Sequence, residues 1–327
     1  MKQKVVVLGA SGFIGRNIAE ELIKNPNYEV YGTYYNSIPY RHAKIALTKC
    51  DLTKAKEVKE VLKGADIVIQ AAATTSGAKE IVNKPYYHVT DNALMNSHIF
   101  REAFEQKIKH LVFFSCTVMY PSGLDRAVKE NDFDANAEMT RSYFGVGWTK
   151  VYLEKMAEFY SRIGSTKFSV IRHSNIYGPY DKFDLERSHV FGATMTKVLT
   201  NNTGKLSVWG DGSEERDLLY VSDLCDYVNL ALEKQTEPFV LQNVGLGSSV
   251  SVTELVNKII TACGKKMYIE YDKTKPSLKT KLYLDTTKAK EMFGWIPKVT
   301  LEMGIQKTLE WYKGNIIPAI TVHTDAA

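Results

Sequence analysis

KVVVLGASGFIGRNIAEELIK, residues 4–24, passes from a β-branched apolar run through a glycine-rich turn into an amphipathic helical pattern. Glycines at 9, 12 and 15 leave the turn without side chains at the points where a backbone must approach a ligand or another backbone closely. The helix opening there presents free N–H groups and a partial positive charge, which together suit a pyrophosphate. Placed between a strand and a helix, Gly9, Ser11, Gly12, Phe13, Ile14 and Gly15 read as the turn that holds a dinucleotide.

Outward from this turn the same alternation continues. EVYGTYY (29–35), DIVIQAAA (66–73), HLVFFS (110–115) and FSVIRHS (168–174) carry the strand signature. AKEVKEVLK, DNALMNSHIFREAFEQ and TKVYLEKMAEFYSRI carry the helical one. Near-continuous apolar strands separated by amphipathic helices predict an α/β fold, a doubly wound parallel sheet of the Rossmann type covered on both faces. Beyond about residue 175 the rhythm loosens into turn clusters (YGPYDKFD, WGDGSEER), two helices and short strands that include MYIEY and KLYLD. A smaller C-terminal α/β lobe is expected there. The division expected is 1–175 plus about 215–240 for the dinucleotide domain, and about 176–214 plus 241–315 for the lobe. The tail, 316–327, has no periodicity and no role assigned.

Composition narrows the classes. The 42 basic and 37 acidic residues are interspersed and leave a net charge of +5, which makes no case for nucleic acid but suits an anionic small molecule. No run approaches the roughly 18 apolar residues of a membrane span, and the N-terminus enters its first strand without a cleavable apolar signal. Cys50, Cys116, Cys225 and Cys263 are far apart, as reduced thiols would be. A cytoplasmic location without membrane partners is the expectation, and no metal-ligand set is read.

Which dinucleotide is less sharply marked. An acid at the end of the second strand would take the ribose hydroxyls of NAD, and Tyr34 stands there instead. Arg16 and Arg41 are placed to reach the 2′-phosphate of NADP, or are solvated surface charges; the cofactor reading is NAD(P), leaning slightly to NADP. Asp51, with Leu52 beside it, follows the third strand and is placed either to bond an adenine or to cap a helix.

With this glycine turn, Ala71, Ala72 and Ala73 in AAATT after the fourth strand, SCTVMYP after the fifth and NIYGP after the sixth, the chain resembles the extended short-chain dehydrogenase/reductases over about residues 4–313. These are NAD(P)-dependent sugar-nucleotide epimerases, dehydratases and reductases. The likeness is strongest to the GDP-fucose synthase branch (GDP-4-keto-6-deoxymannose epimerase/reductases), through SNIYGPYDKFDLERSHV and VWGDGSEERDLLYV. The resemblance implies a nucleoside diphosphate sugar in the cleft and a homodimer formed through a helical bundle. It also makes Asn175, Lys197, Trp209, Arg216 and Lys281 candidates for the substrate. Arg216 in particular offers a planar fork for diphosphate oxygens.

SYFGVGWTK (142–150) departs from the pattern. The family pairs a tyrosine with a lysine four residues on, so that the ammonium lowers the phenol's pKa. Lys150 fits the lysine, but Val146 stands where the tyrosine belongs and cannot carry a proton. The Ser/Thr position of the fifth-strand motif holds Cys116, with Thr117 beside it. The cysteine that GDP-fucose synthases use for epimerisation is Val118, while the histidine of SHV is kept as His189. Tyr143 shares a helical face with Lys150, about 20° away but roughly 10 Å along the axis. Gly145 and Gly147 weaken that turn by about 1 kcal/mol each and would let Tyr143 bend inwards. Tyr143 is therefore read as a displaced acid/base, or as a binding or packing residue. Cys116 is a proton carrier if Lys150 depresses its pKa, or a small buried apolar residue. His189 is an acid/base beside the ketone, or a hinge contact. The activity expected is NAD(P)-dependent hydride transfer at C4 of a nucleotide sugar, GDP-linked, with a non-standard proton donor. A dehydratase or isomerase with tightly held cofactor, or a binding homologue without catalysis, are the alternatives.

Overall fold

The computed structural model describes residues 2–74, 86–185, 188–275 and 280–316. VVVL forms the end of β1 (Gln3–Leu8), which pairs in parallel with β2 (Tyr28–Tyr34) on one side and β4 (Ile67–Gln70) on the other. Adding β3 (Ala46–Lys49), β5 (His110–Phe114), β6 (Lys167–His173) and a strand at Phe239–Val244 gives a parallel seven-stranded sheet. With that last strand numbered β10, the order is β10-β6-β5-β4-β1-β2-β3. The order reverses at β1, so the crevice for a ligand opens beyond its carboxyl end.

Alternation along β1 explains the layers. Val5 and Val7 pack with Ile18, Ala19 and Leu22 of α1 (Phe13–Leu22), and with Leu224 and Val228 of a helix at Val221–Lys234. Val6 and Leu8 point the other way, against Val58 of α2 (Ala55–Val61), Ile99 and Phe100 of α3 (Tyr87–Glu105), and Leu153 and Ala157 of α4 (Phe144–Ile163). Both faces of the strand are buried, which is why it reads as an unbroken apolar run rather than an alternating one.

The smaller lobe has its own core. β7 (Asn175–Tyr177) and β9 (Glu215–Tyr220) are parallel, with β11 (Ser249–Ser251) antiparallel on β9. β8 (Lys205–Trp209) pairs with β12 (Tyr268–Asp272). Around them pack α5 (Val190–Thr200), α7 (Val252–Ala262) and α9 (Leu301–Asn315), with α6 being the helix at Val221–Lys234 and α8 the short Thr287–Phe293. Among the described residues no helix is long and apolar enough to cross a membrane.

Three expectations change. Glu215–Tyr220 belongs to the small lobe's sheet, because its partners are β7 and β11. Phe239–Val244 and, after it, Ala289, Phe293 and Trp295 join the main sheet's core instead of the lobe. KLYLD is not a strand: only Leu284 bridges, to Val128, because the Ser122 hydroxyl takes the Lys281 N–H and the Asp217 carboxylate takes that of Leu284. The tail beyond Ile316 lies outside the described residues.

Candidate active site

The dinucleotide turn is fixed by backbone contacts. Gly9 has φ +76°, and a Cβ on it would lie 2.7 Å from Ala72 Cα; one on Gly15 would lie 2.2 Å from the Gly9 carbonyl oxygen. Only glycine fits either place. The Gly9 N–H donates to the Thr33 hydroxyl and the Ala71 N–H to the Leu8 carbonyl, which ties the turn to β2 and to the segment after β4. Gly12, the N-cap of α1, supplies no side-chain cap. The N–H groups of this first turn are thus left for an anion, and the residues fit a dinucleotide's pyrophosphate. Ser11 and Ser37 face each other across the mouth, hydroxyl to hydroxyl at 2.5 Å.

On the adenosine side the two arginines differ. The Arg16 guanidinium is stacked between the Tyr40 and Tyr180 rings, at 4.1 and 3.7 Å from their centroids, and donates to Glu20 at 2.8 Å. It joins α1 to the loop after β7, as does the Asn17 amide through the Pro179 carbonyl. Arg16 is thus neither a solvated surface charge nor free for a 2′-phosphate; the lean towards NADP rests on Arg41, which is exposed. Asp51 accepts from the Thr53 N–H and hydroxyl, and these bonds hold its carboxyl below the usual range. Asp51 thus closes a turn ahead of α2 and does not cap it, since the N-cap residue is Lys54. Tyr34 ends β2, Leu52 is buried, and Ala73 is exposed.

Lys150 stands at the carboxyl end of β5, where its ammonium donates to the Phe114 carbonyl at 2.7 Å and lies over the Phe113 ring. Burial lowers its pKa, and the neighbouring Cys116 and Glu154 act the other way. One turn on, Glu154 is buried with Arg172 of β6 in a two-pronged ion pair at 2.9 and 2.6 Å, and also accepts from the Ser115 hydroxyl. Arg172 continues to the Tyr120 hydroxyl, which donates to Asn243. This network pins α4 to β5, β6 and β10 directly behind Lys150. Sequence reading missed it, since a glutamate in a helix and an arginine in a strand carry no mark of being paired.

Tyr143 is the N-cap of α4, preceded by a single 3₁₀ turn at Arg141–Tyr143, and it is half-buried. Burial raises its pKa; the Arg216 charge opposes this, while Cys116 and Glu214 add to it. The charges that act on the phenol are thus those of the small lobe's Arg216 and Glu214 and of Cys116, just after β5. Gly145 and Gly147 do not loosen the turn: the helix runs through both. A Cβ at Gly145 would lie 2.8 Å from Val89 Cγ2, and one at Gly147 would lie 2.1 Å from Met139 Sδ. They are packing positions. Val146 is half-buried.

Cys116 packs against Met119, Met139 and Val151. Burial raises its pKa and outweighs the pull of Lys150, so the expected depression does not occur and the thiol stays protonated. Thr117 accepts the Tyr120 N–H on its carbonyl, in the turn after β5. His189 is the N-cap residue of α5, and burial, then Lys182, lower its pKa. His173, at the end of β6, was read only as part of a strand, yet the charges of Lys150 and His189 both reach its ring.

In the small lobe Arg216 donates to the Glu215 carbonyl, to Thr280 and to Glu214, whose other carboxylate oxygen meets no partner among the described residues. The Asn175 amide donates to the Asp217 carbonyl. Lys197 donates to the Ser207 carbonyl, and Lys281 pairs with Asp125 in an exposed contact at 3.1 Å. Trp209 ends β8, about half exposed. Tyr177 is wholly buried, its ring packed against Phe191 and Tyr220. The charge of Lys150 thus reaches Cys116 and His173, and that of Arg216 reaches Tyr143, while Lys281 is held on the loop after β5.

Residues 5–245 match the NAD dependent epimerase/dehydratase family. A GDP-L-colitose synthase of Yersinia pseudotuberculosis is 30% identical over 315 residues, 94% of this chain and 97% of its own. The GDP-L-fucose synthase of Escherichia coli is 25% identical, over 96% of this chain and 98% of its own. Among solved structures, UDP-glucose 4-epimerase of Thermotoga maritima superposes with a TM-score of 0.85 at 24% identity, covering 96% of this chain and all of that one. The UDP-glucose 4-epimerase of Thermus thermophilus, in complex with NAD, gives 0.83 at 23%, over 96% of this chain and all of its own.

Proposed function

Because the chain belongs to the NAD dependent epimerase/dehydratase family, we propose that it transfers hydride at C4 of a nucleoside diphosphate sugar, with Tyr143 as the proton donor. The observation that supports this reading is Tyr143 itself, half-buried just before the helix that carries Lys150, where the charge of Arg216 reaches its phenol. The nicotinamide dinucleotide, when bound, supplies and takes back the hydride. Tyr143, kept protonated by burial, gives its phenolic proton to the oxygen that becomes a hydroxyl. Lys150, fixed on the Phe114 carbonyl, orients the ribose and offsets the developing negative charge. Arg216 holds the diphosphate. GDP as the nucleotide is supported by the names of the sequence relatives, GDP-L-colitose and GDP-L-fucose synthases. NAD is supported by the family description and by the Thermus thermophilus epimerase complex, and Arg41 is the group that would favour NADP.

We also propose a homodimer built on α3 and α4. Tyr152, Phe159 and Ile163, spaced seven and four along one helix, are more than half exposed, and Leu94 on α3 is 45% exposed. Light scattering should give twice 36.9 kDa, and Phe159→Glu should give the monomer.

The reading is tested by following nicotinamide absorbance of the purified protein with GDP-, UDP- and dTDP-linked hexoses and 4-keto sugars. A change with one of them supports it, and the product separates a reductase from a dehydratase or isomerase. A bound dinucleotide that never changes would favour the catalytically silent reading, which the valines at 118 and 146 motivate.

A further inference from the structure

We infer that Arg16 is a positioning residue for the dinucleotide: it clamps the loop after β2 across the glycine turn, so that the cofactor enters and leaves only when this clamp opens. The inference rests on the dinucleotide reading of residues 9–15 and is independent of the sugar chemistry proposed above.

In a sheet of this kind the adenosine ribose sits at the end of the second strand, and the pyrophosphate at the start of the first helix. The loop that leaves β2 borders both places. Residues 35–39 are all exposed, Ile38 at 91%, so the stretch has little buried surface of its own to hold it. Two contacts draw it towards α1. The Ser37 hydroxyl meets that of Ser11, inside the glycine turn, at 2.5 Å. Three residues on, the Tyr40 ring lies against the Arg16 guanidinium, 4.1 Å from its centroid.

Arg16 is itself fixed from two other directions. Its Nε donates to Glu20, one turn along α1, at 2.8 Å, and the Tyr180 ring lies over its guanidinium at 3.7 Å. Tyr180 has φ +68°, a backbone conformation that a bulky side chain rarely adopts. Such strain persists where the surroundings over-determine it. Here the ring also meets Trp311 of α9 edge-on at 5.1 Å, and its hydroxyl donates to Glu20 at 3.3 Å. One guanidinium thus joins α1, the loop after β2 and the loop after β7. The Tyr40 hydroxyl is buried and has no partner among the described residues. The ring, not the hydroxyl, makes the contact with Arg16.

The test is stopped-flow fluorescence with NADH and NADPH, following their association with the purified chain and their displacement by excess NAD or NADP. In Arg16→Leu and Tyr40→Ala, association and dissociation rates should both rise by about tenfold, with the dissociation constant within about threefold of the unmodified chain. Tyr40→Phe keeps the ring and should match the unmodified rates within about twofold. Tyr40→Ala changes only the loop, and so tests the clamp even where Arg16→Leu does not fold. Dissociation that speeds up alone is a loss of affinity, and would reduce Arg16 to a packing residue. Unchanged rates in both variants, or a Tyr40→Phe as fast as Tyr40→Ala, would overturn the clamp while leaving the dinucleotide site standing. An unmodified chain that binds neither NADH nor NADPH would remove both.

Discussion

The glycine turn at residues 9–15 and the segment at residues 140–150 serve the same edge of one sheet, but constraint falls on them differently. In the turn the crowding is backbone on backbone: a side chain at Gly9 meets Ala72 Cα, and one at Gly15 meets the Gly9 carbonyl. No neighbour can yield, so a single residue type satisfies each place. In the segment the crowding comes from the side chains of Val89 and Met139, and Lys150 is held by one carbonyl. A proton donor there has only to reach the cleft, and on the proposed reading Tyr143 does so from just before the helix, three residues ahead of Val146. Cofactor geometry written in backbone tolerates little variation, whereas proton chemistry can move along the wall that carries it.

The largest expected effect lies behind the variable side. Glu154 and Arg172 are 4% and 3% exposed, and removing one partner of such a pair costs about 3–5 kcal/mol. Denaturant unfolding of Glu154→Ala should show that loss, and a loss under 1 kcal/mol would mean that the network does not anchor α4. Next comes a paired substitution. Gly15→Ala should cost about 1–3 kcal/mol and abolish dinucleotide binding. Gly147→Ala should cost less, since Met139 is flexible and can shift. Equal costs would erase the distinction between backbone and side-chain crowding.

A third prediction probes interchangeability. Adding Val146→Tyr to Tyr143→Phe should restore turnover by about tenfold, near 1.4 kcal/mol of barrier, because Lys150 already stands four residues on. The smallest effect is in pH. Burial holds the Tyr143 phenol above its ordinary value of 10.0, so it stays protonated through the neutral range. Turnover in the reducing direction should be flat to that pH and fall only above it. A fall near neutrality would instead point to a phenol lowered by a neighbouring ammonium.

The main sheet was legible because its strands are buried on both faces and its helices show one apolar stripe. The small lobe was less so. β7 is three residues long, hidden between a strand and a turn, and β9 falls in the stretch expected in the dinucleotide domain, because its partners in the lobe lie far away in sequence. KLYLD has a strand's alternation, but side chains claim its N–H groups. In the site, the glycines could be read from their spacing between a strand and a helix, and Lys150 from the family resemblance. Glu154, Arg172 and His173 could not, since their meaning depends on which groups the fold brings beside them.

The most direct measurement is nicotinamide absorbance during turnover of a GDP-linked 4-keto sugar by the unmodified chain and by Tyr143→Phe. A change that drops by about 100-fold or more in the variant, with dinucleotide affinity unaltered, is the expected result for a displaced proton donor. A variant that turns over at the unmodified rate would contradict it and return Tyr143 to the role of a helix cap.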